Sequence, residues 1–334
     1  MNQIIYEIII NFLKALITMN KEKSKCLISI VIPVFNSQSS IRMLVDELID
    51  KLNSIYLIEI ILINDCSKDK SEIECIKLFN KYPSLVKFYS LSKNVGENNA
   101  VIAGFNKSKG EYVVTIDDDF QNSVHEVEKL INYTLNNKYD VVYTYYNNKY
   151  HTKFRNIGSK INDKLANIVL KKPPELYLST FRMMNKFIVK EVIKYKFYFT
   201  YIDWLILRTT DNIGQLEVKH SIRKFGQSNY TFIKLLFVWS NMFFNSSIIP
   251  LLISITIGFV FSIIGFVMGI IVIFLKFHEP NMPLGFASIM VSLCVFSGLF
   301  LISIGMTGEY IGRIYLSIIG EPQYIVRKSF INKE

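Results

Sequence analysis

The sequence predicts an α/β unit, a mostly parallel sheet with helices on both faces, followed by an interfacial helix and a two-helix transmembrane hairpin. Three observations predict it. Between residues 26 and about 225, short apolar β-branched runs alternate with stretches of helical spacing. Two charge-free runs, Ile248 to Leu275 and Pro280 to Gly308, each exceed the roughly 20 residues needed to cross a hydrocarbon core of about 30 Å. The polar clusters "NSQSS", "NDCSKD" and "DDDFQ" fall at the carboxyl ends of the predicted strands, where such sheets collect ligands.

The elements follow in order. Residues 1–25 are an N-terminal extension and a candidate amphipathic helix. The first eighteen contain Glu7 and Lys14 and lack a basic start and a small-residue cleavage site, which speaks against a signal peptide. A membrane-surface helix and a translation start at Met19 are the two readings left. Residues 26–226 hold the α/β domain. Its predicted strands are "CLISIVIPVF" (26–35), "LIEIILIND" (57–65), "VKFYSLS" (86–92) and "EYVVTIDDD" (111–119). "IRMLVDELIDKLN" and "NNAVIAGFNKSKG" have helical spacing, the second closing on Gly110. Residues 227–247 read as an interfacial helix, apolar and aromatic with few charges. The predicted spans are 248–275 and 281–308, with 309–334 as a C-terminal tail.

Orientation follows the positive-inside bias. Arg223, Lys224 and Lys234 precede the first span; Arg313, Arg327 and Lys328 follow the second. Between the spans lies only "KFHEP". The N-terminal domain and both termini are therefore expected on the cytoplasmic side. The net charge of +10 suits anionic partners such as phosphorylated substrates or acidic lipid. Its clustering near the membrane segments argues against nucleic acid. The four cysteines, Cys26, Cys66, Cys75 and Cys294, lack zinc-ligand or CxxC spacing and read as free thiols.

The acidic run Asp117, Asp118 and Asp119 follows an apolar strand. Adjacent carboxylates raise one another's pKa unless a cation compensates. Hard oxygen ligands suit Mg2+ or Mn2+. Strand alternation would set Asp117 and Asp119 on one face and Asp118 on the other. A solvated acidic turn or a helix N-cap is the competing reading of the spacing alone.

Four segments occur in a telling order: "ISIVIPVFN", "EIILINDCSKDKS", "LSKNVGENNAVIAGFNKSKGEYVVTIDDDFQ" and "RKFGQSNYTF". Together they resemble a family 2 glycosyltransferase with a GT-A nucleotide-sugar fold. More narrowly, residues 26 to 328 resemble the polyprenyl-phosphate glycosyltransferases, dolichol-phosphate mannose synthases and bacterial undecaprenyl-phosphate enzymes among them. The hairpin and the ending "IGEYIGRIYLSIIGEPQYIV" resemble the bacterial members.

The resemblance implies roles by position. Pro33 and Phe35 would line the base pocket, Asp65 would hold the base, and Asn94 and Gly96 would sit near the nucleotide. Asp117 and Asp119 match the metal-binding Asp-x-Asp, Asp118 would lie near the ribose, and Gln121 near the metal or sugar. Arg182 and Arg223 are candidates for phosphate contact, with Ser228 adding a hydroxyl donor. Two positions depart from the family pattern. Asn64 stands where an aspartate is frequent. Thr180, in "STFRMM", stands where many relatives carry an aspartate assigned as a base or an acceptor-positioning group. Asp203, in "FTYIDWLIL", is the other carboxylate that could serve as base; a structural, hydrogen-bonded role is its competing reading.

The implied reaction is metal-dependent, inverting transfer of a monosaccharide from a nucleotide-diphosphate sugar to a polyprenyl phosphate at the cytoplasmic face of a bacterial inner membrane. UDP is favoured by the bacterial relatives, with GDP the alternative. A homo-oligomer is a further expectation, because relatives can tetramerise. Two alternatives come from other classes: extension of a lipid-linked oligosaccharide in O-antigen or capsule synthesis, and a non-catalytic membrane scaffold with a degenerate transferase fold. A processive polysaccharide synthase is disfavoured by the lack of a Gln-x-x-Arg-Trp motif and by only two spans.

Overall fold

The computed structural model describes residues 26–146, 172–196, 200–219, 249–278 and 285–332. The chain divides into two compact units. One contains the sheet, including a strand from the C-terminal end; the other contains the two long apolar helices.

Among the described residues the sheet has eight strands, in the order β7-β5-β6-β4-β1-β2-β3-β8. They are β1 (Leu27–Val34), β2 (Leu57–Asn64), β3 (Val86–Leu91), β4 (Tyr112–Thr115), β5 (Val141–Tyr145), β6 (Arg182–Asn185), β7 (Ile213–Glu217) and β8 (Val326–Phe330). The pairs β1–β2, β1–β4, β2–β3 and β5–β7 are parallel; β4–β6, β5–β6 and β3–β8 are antiparallel. Parallel strands must be covered on both faces, which is why "LISIVIPV" is apolar throughout.

On one face pack α1 (Ile41–Leu52), α2 (Ser71–Lys81) and α4 (Val124–Asn137), against Ile28, Ile30 and Ile32 of β1. On the other pack α3 (Glu97–Lys107), α5 (Lys186–Ile193) and α6 (Ile202–Thr209), against Val31, Ile61 and Tyr143. Side-chain alternation along β1 feeds both cores. Gly104 lets α3 lie close on β1, since a Cβ there would run into the Val31 side chain. Pro33 falls where β4 no longer pairs with β1, whose shared register ends at Val31–Thr115, so its missing N–H is tolerated.

The second unit contains α7 (Ile249–His278) and α8 (Phe286–Ile319). Both are long and apolar enough to cross a membrane, over Pro250–Ile271 and Val295–Ile319, and large side chains such as Phe266, Phe300 and Ile318 face outward. Ser254 Oγ donates to Ser303 Oγ at 2.8 Å, satisfying two hydroxyls in an apolar setting.

Several boundaries differ from expectation. The second apolar helix runs to Ile319, not residue 308, because the i, i+4 pair Glu309–Arg313 (2.7 Å) continues it past the charge-free run. The described part of that tail, residues 309–332, thus holds a helix end and the edge strand β8. Helix α3 stops at Lys107, and Gly110 serves instead to let the chain pass beside Ser29. β4 ends at Thr115, one residue before "DDD" begins at Asp117, so the carboxylates stand in a turn. Residues 1–25 and the expected interfacial helix 227–247 lie outside the described residues.

Candidate active site

The site is built from loops at the carboxyl ends of β1, β2 and β4. Asn36, Cys66 and Phe120 have φ of 56°, 56° and 62°. All three follow those strand ends, and such backbone strain concentrates at functional sites.

The β1 and β2 loops are stitched together. Asn36 N donates to Ser67 Oγ (3.0 Å), Lys68 N to Asn36 Oδ1 (2.9 Å), and Ser37 N to Ser71 Oγ (2.7 Å). Asp118 fastens this pair to the β4 loop, accepting from Phe35 N at 2.9 Å and from Ser37 Oγ. Burial pushes the Asp118 carboxyl up to about 6; its two donors pull it back, while Asp117 and Asp119 push it further up.

Asp65 closes the β2 end. Its carboxylate accepts from Val95 N at 2.8 Å and Gly96 N at 3.0 Å, and Asn94 Nδ2 donates to its carbonyl at 3.2 Å. Burial raises its pKa, and these two N–H groups lower it in part. Gly96 has φ of 84°, a conformation that permits the turn into α3. The neighbouring Asn64 is fully buried and uses both ends of its amide: Nδ2 donates to Ser90 Oγ (3.1 Å) and Oδ1 accepts from Ser67 N (3.2 Å). Ser90 itself donates to Glu72, so an aspartate at 64 would lack the donor that this serine needs.

At the β4 end, Asp117 Oδ2 accepts from Thr180 Oγ1 at 2.8 Å, and Asp119 Oδ1 accepts from Gln121 N at 3.1 Å. Asp117 and Asp118 therefore point to different partners, Thr180 and the β1 loop. The turn, not strand alternation, sets their directions.

Next to Asp117, Arg182 enters from β6, opposite Thr115 of β4. It is 3 % exposed and its Nη1 donates to Asp203 Oδ1, at the first turn of α6. Tyr143 OH donates to the same oxygen at 2.9 Å. Burial, with Asp203 adding, holds the Tyr143 phenol well above its usual range, so it stays a donor. Glu97 opens α3 and faces both clusters. Protein crowding around its carboxyl pushes it up to about 8, Asp117 adds to this and Arg182 opposes it, although the residue keeps an exposed edge.

The sequence pattern described as "Glycosyl transferase family 2" matches residues 29–193. The undecaprenyl-phosphate 4-deoxy-4-formamido-L-arabinose transferase of Pectobacterium atrosepticum is 30% identical over 305 residues, 90% of this chain and 93% of that one. The chain belongs to glycosyl transferase family 2. The namesake transferase of Serratia proteamaculans is also 30% identical over 306 residues, with the same coverage. A glucosyl-3-phosphoglycerate synthase from Mycobacterium tuberculosis, crystallised with Mn2+, UDP and phosphoglyceric acid, superimposes with a TM-score of 0.52 at 17% identity, covering 68% of this chain and 79% of that one. That likeness supports the GT-A fold.

In this glycosyltransferase, Phe35, Asp65, Asn94, Gly96, Asp117, Asp118, Asp119 and Gln121 lie at or in the loops that follow β1 to β4, with Pro33 near the end of β1 and Arg182 of β6 and Asp203 of α6 beside them. Arg223 and Ser228 lie outside the described residues. Sequence reasoning missed Tyr143, Thr115 and Glu97, and the contact that Thr180 makes. Glu97 and Thr115 lie inside the segment "LSKNVGENNAVIAGFNKSKGEYVVTIDDDFQ", where one reads as an ordinary first-turn acid and the other as a strand residue, and Tyr143 is a strand residue outside every segment quoted above. Cys26, Cys66 and Cys75 are free thiols.

Proposed function

We propose that this enzyme transfers a monosaccharide from a nucleotide-diphosphate sugar, in first place a UDP-sugar, to a polyprenyl phosphate at the cytoplasmic face of the membrane. One observation carries the reading. The 30% identity to an undecaprenyl-phosphate transferase extends over nine-tenths of both chains, so it takes in the apolar helices as well as the sheet. The lipid phosphate oxygen would attack the anomeric carbon from the side opposite the nucleotide. The bond from that carbon to the diphosphate would break with its electron pair leaving on the diphosphate, giving inversion.

The carboxylates fit a divalent cation. Burial first and the neighbouring carboxylates second hold Asp118 up at about 6, so a cation beside Asp117 and Asp119 would offset the carboxylate part of that cost. Mg2+ or Mn2+ needs only one or two protein carboxylates, and Asp117 and Asp119 would supply them, with diphosphate and water completing the shell. When bound, the cation would offset charge on the leaving diphosphate.

A phosphate acceptor needs little help from a base, since its second pKa is about 6. The local chemistry agrees. Position 180 carries a hydroxyl, and Asp203 already accepts from Arg182 and Tyr143, an arrangement that holds a cation in place. Extension of a lipid-linked sugar would need a base for a hydroxyl acceptor. Pairing of β8 with β3 joins chain from after the second apolar helix to chain from before the first, which supports an even number of crossings and both termini on one side.

The test is incubation of the detergent-purified full chain with undecaprenyl phosphate and a panel of UDP- and GDP-sugars, with Mn2+ or EDTA, read by mass spectrometry. A lipid-phosphate-sugar product that EDTA abolishes is expected. Products on a lipid-linked oligosaccharide but none on undecaprenyl phosphate would overturn the acceptor assignment.

A further inference from the structure

Thr180 is anchored at both ends and exposed in the middle. Its carbonyl accepts from Thr115 Oγ1 at 2.5 Å, and Thr115 is 2 % exposed within β4. On one side, Ser179 Oγ lies 3.3 Å from Thr144 Oγ1 and accepts from Phe181 N at 3.2 Å. On the other, the fully buried Phe181 accepts from Thr144 Oγ1 at 2.7 Å through its carbonyl. The backbone of residue 180 is therefore fixed by buried hydroxyls of β4 and β5. Its own hydroxyl, at the exposed mouth of the site, donates to Asp117 Oδ2 at 2.8 Å.

We propose that Thr180 is a positioning residue: its hydroxyl sets the orientation of the Asp117 carboxylate for the divalent cation. The inference rests on the reading of Asp117 as a cation ligand. The torsion that turns a carboxylate plane is soft, so an aspartate in a turn needs a partner to hold one orientation. A donor on one oxygen supplies it, and outer partners of this kind govern metal affinity by about 10- to 100-fold. A carboxylate at position 180 would act differently. It would bring a second anion to hydrogen-bonding distance of Asp117 and would compete for the cation. Threonine orients without adding charge. It also removes a proton acceptor from the place where relatives are expected to carry one, which matches an acceptor that arrives already ionised.

The measurement is direct binding of Mn2+ to the detergent-purified full chain, from the electron paramagnetic resonance signal of the free ion, alone and with UDP. Wild type, Thr180→Val, Thr180→Ser and Asp117→Asn are compared, with thermal unfolding as control. Valine keeps the shape and loses the donor; serine keeps the donor. The expected result is that Thr180→Val weakens Mn2+ binding about ten-fold, the lower end of the range because the contact is exposed. Thr180→Ser should restore it to within about two-fold of wild type, with the unfolding temperature of both unchanged. Wild-type binding in Thr180→Val, with weakened binding in Asp117→Asn, would overturn the role of Thr180 and leave Asp117 as ligand. Undiminished binding in Asp117→Asn would overturn both.

Discussion

Arg182 and Asp203 form an ion pair at the edge of the site, one from β6 and the other from the first turn of α6. Their side chains are 3% and 13% exposed, and Tyr143 OH completes the acceptor at 2.9 Å. Removing one partner of such a pair strands the other charge, at a cost of about 3 kcal/mol or more. Asp203→Ala should therefore lower the unfolding temperature of the solubilised chain and its turnover together. Tyr143→Phe, which removes one hydrogen bond, should cost about 1 kcal/mol. A catalytic base would behave otherwise: Asp203→Asn would abolish turnover with stability unchanged, and that outcome would defeat the holding role.

Asp119 accepts a backbone N–H, from Gln121, and is only partly buried. Loss of that hydrogen bond in Asp119→Ala should cost about 1 kcal/mol of stability. The variant's turnover should no longer respond to added Mn2+. Comparison of rates across a Mn2+ series, with thermal unfolding alongside, checks this. Full metal-dependent activity in the variant would remove Asp119 from the cation site.

Glu59 sits at the opposite end of the sheet, 5% exposed. Burial would raise its pKa, but the Lys87 ammonium, Ser29 Oγ at 2.5 Å and Lys109 N at 2.6 Å more than offset this, and the net shift is downward. A lowered carboxyl stabilises the fold fully above the unfolded value of about 4.3 and loses that contribution as pH falls through the lowered native value. Glu59→Gln should cost about 2 kcal/mol at neutral pH, below the usual figure of roughly 3–5 for a broken buried pair because Lys87 can reach water. Between pH 5 and 3 the wild type should lose stability more steeply than the variant. Parallel melting curves over that range would contradict the assignment.

Phe330 of β8 lies 5.5 Å from the ring of Phe88 and 5.9 Å from that of Phe79. Lys328 adds a 2.7 Å contact to Glu72. Phe330→Ala should destabilise the sheet unit by about 2 kcal/mol, less than a fully buried phenylalanine because the residue is only partly buried. Lys328→Ala should change stability by less than about 1 kcal/mol, as exposed pairs do. Denaturation of both variants, followed by intrinsic fluorescence, compares the two.

The central sheet was legible because parallel strands buried on both faces leave unbroken β-branched runs, as in "LISIVIPV" and "LIEIILIN". β5, β6 and β7 are short and carry Tyr, Arg, Met, Gln and Gly, which blurs that pattern. β8 could not be read, since "VRKSF" gains its partner only from a strand far earlier in the chain. The acidic turn was visible as a charge anomaly. The orientation of its members was not, because it depends on Thr180 and Ser37, which are distant in sequence and unremarkable in composition.

The pairing of Phe88 with Phe330 also fixes an order of events during synthesis. β3 leaves the ribosome about 240 residues before its edge partner exists. Throughout that interval one border of the nascent sheet is open, and both apolar helices are made before it can close. Completion of the sheet thus reports that both apolar helices have been translated. A ribosome that stalls within either apolar helix leaves a sheet with an unpaired edge, the kind of surface that quality-control machinery and aggregation both recognise.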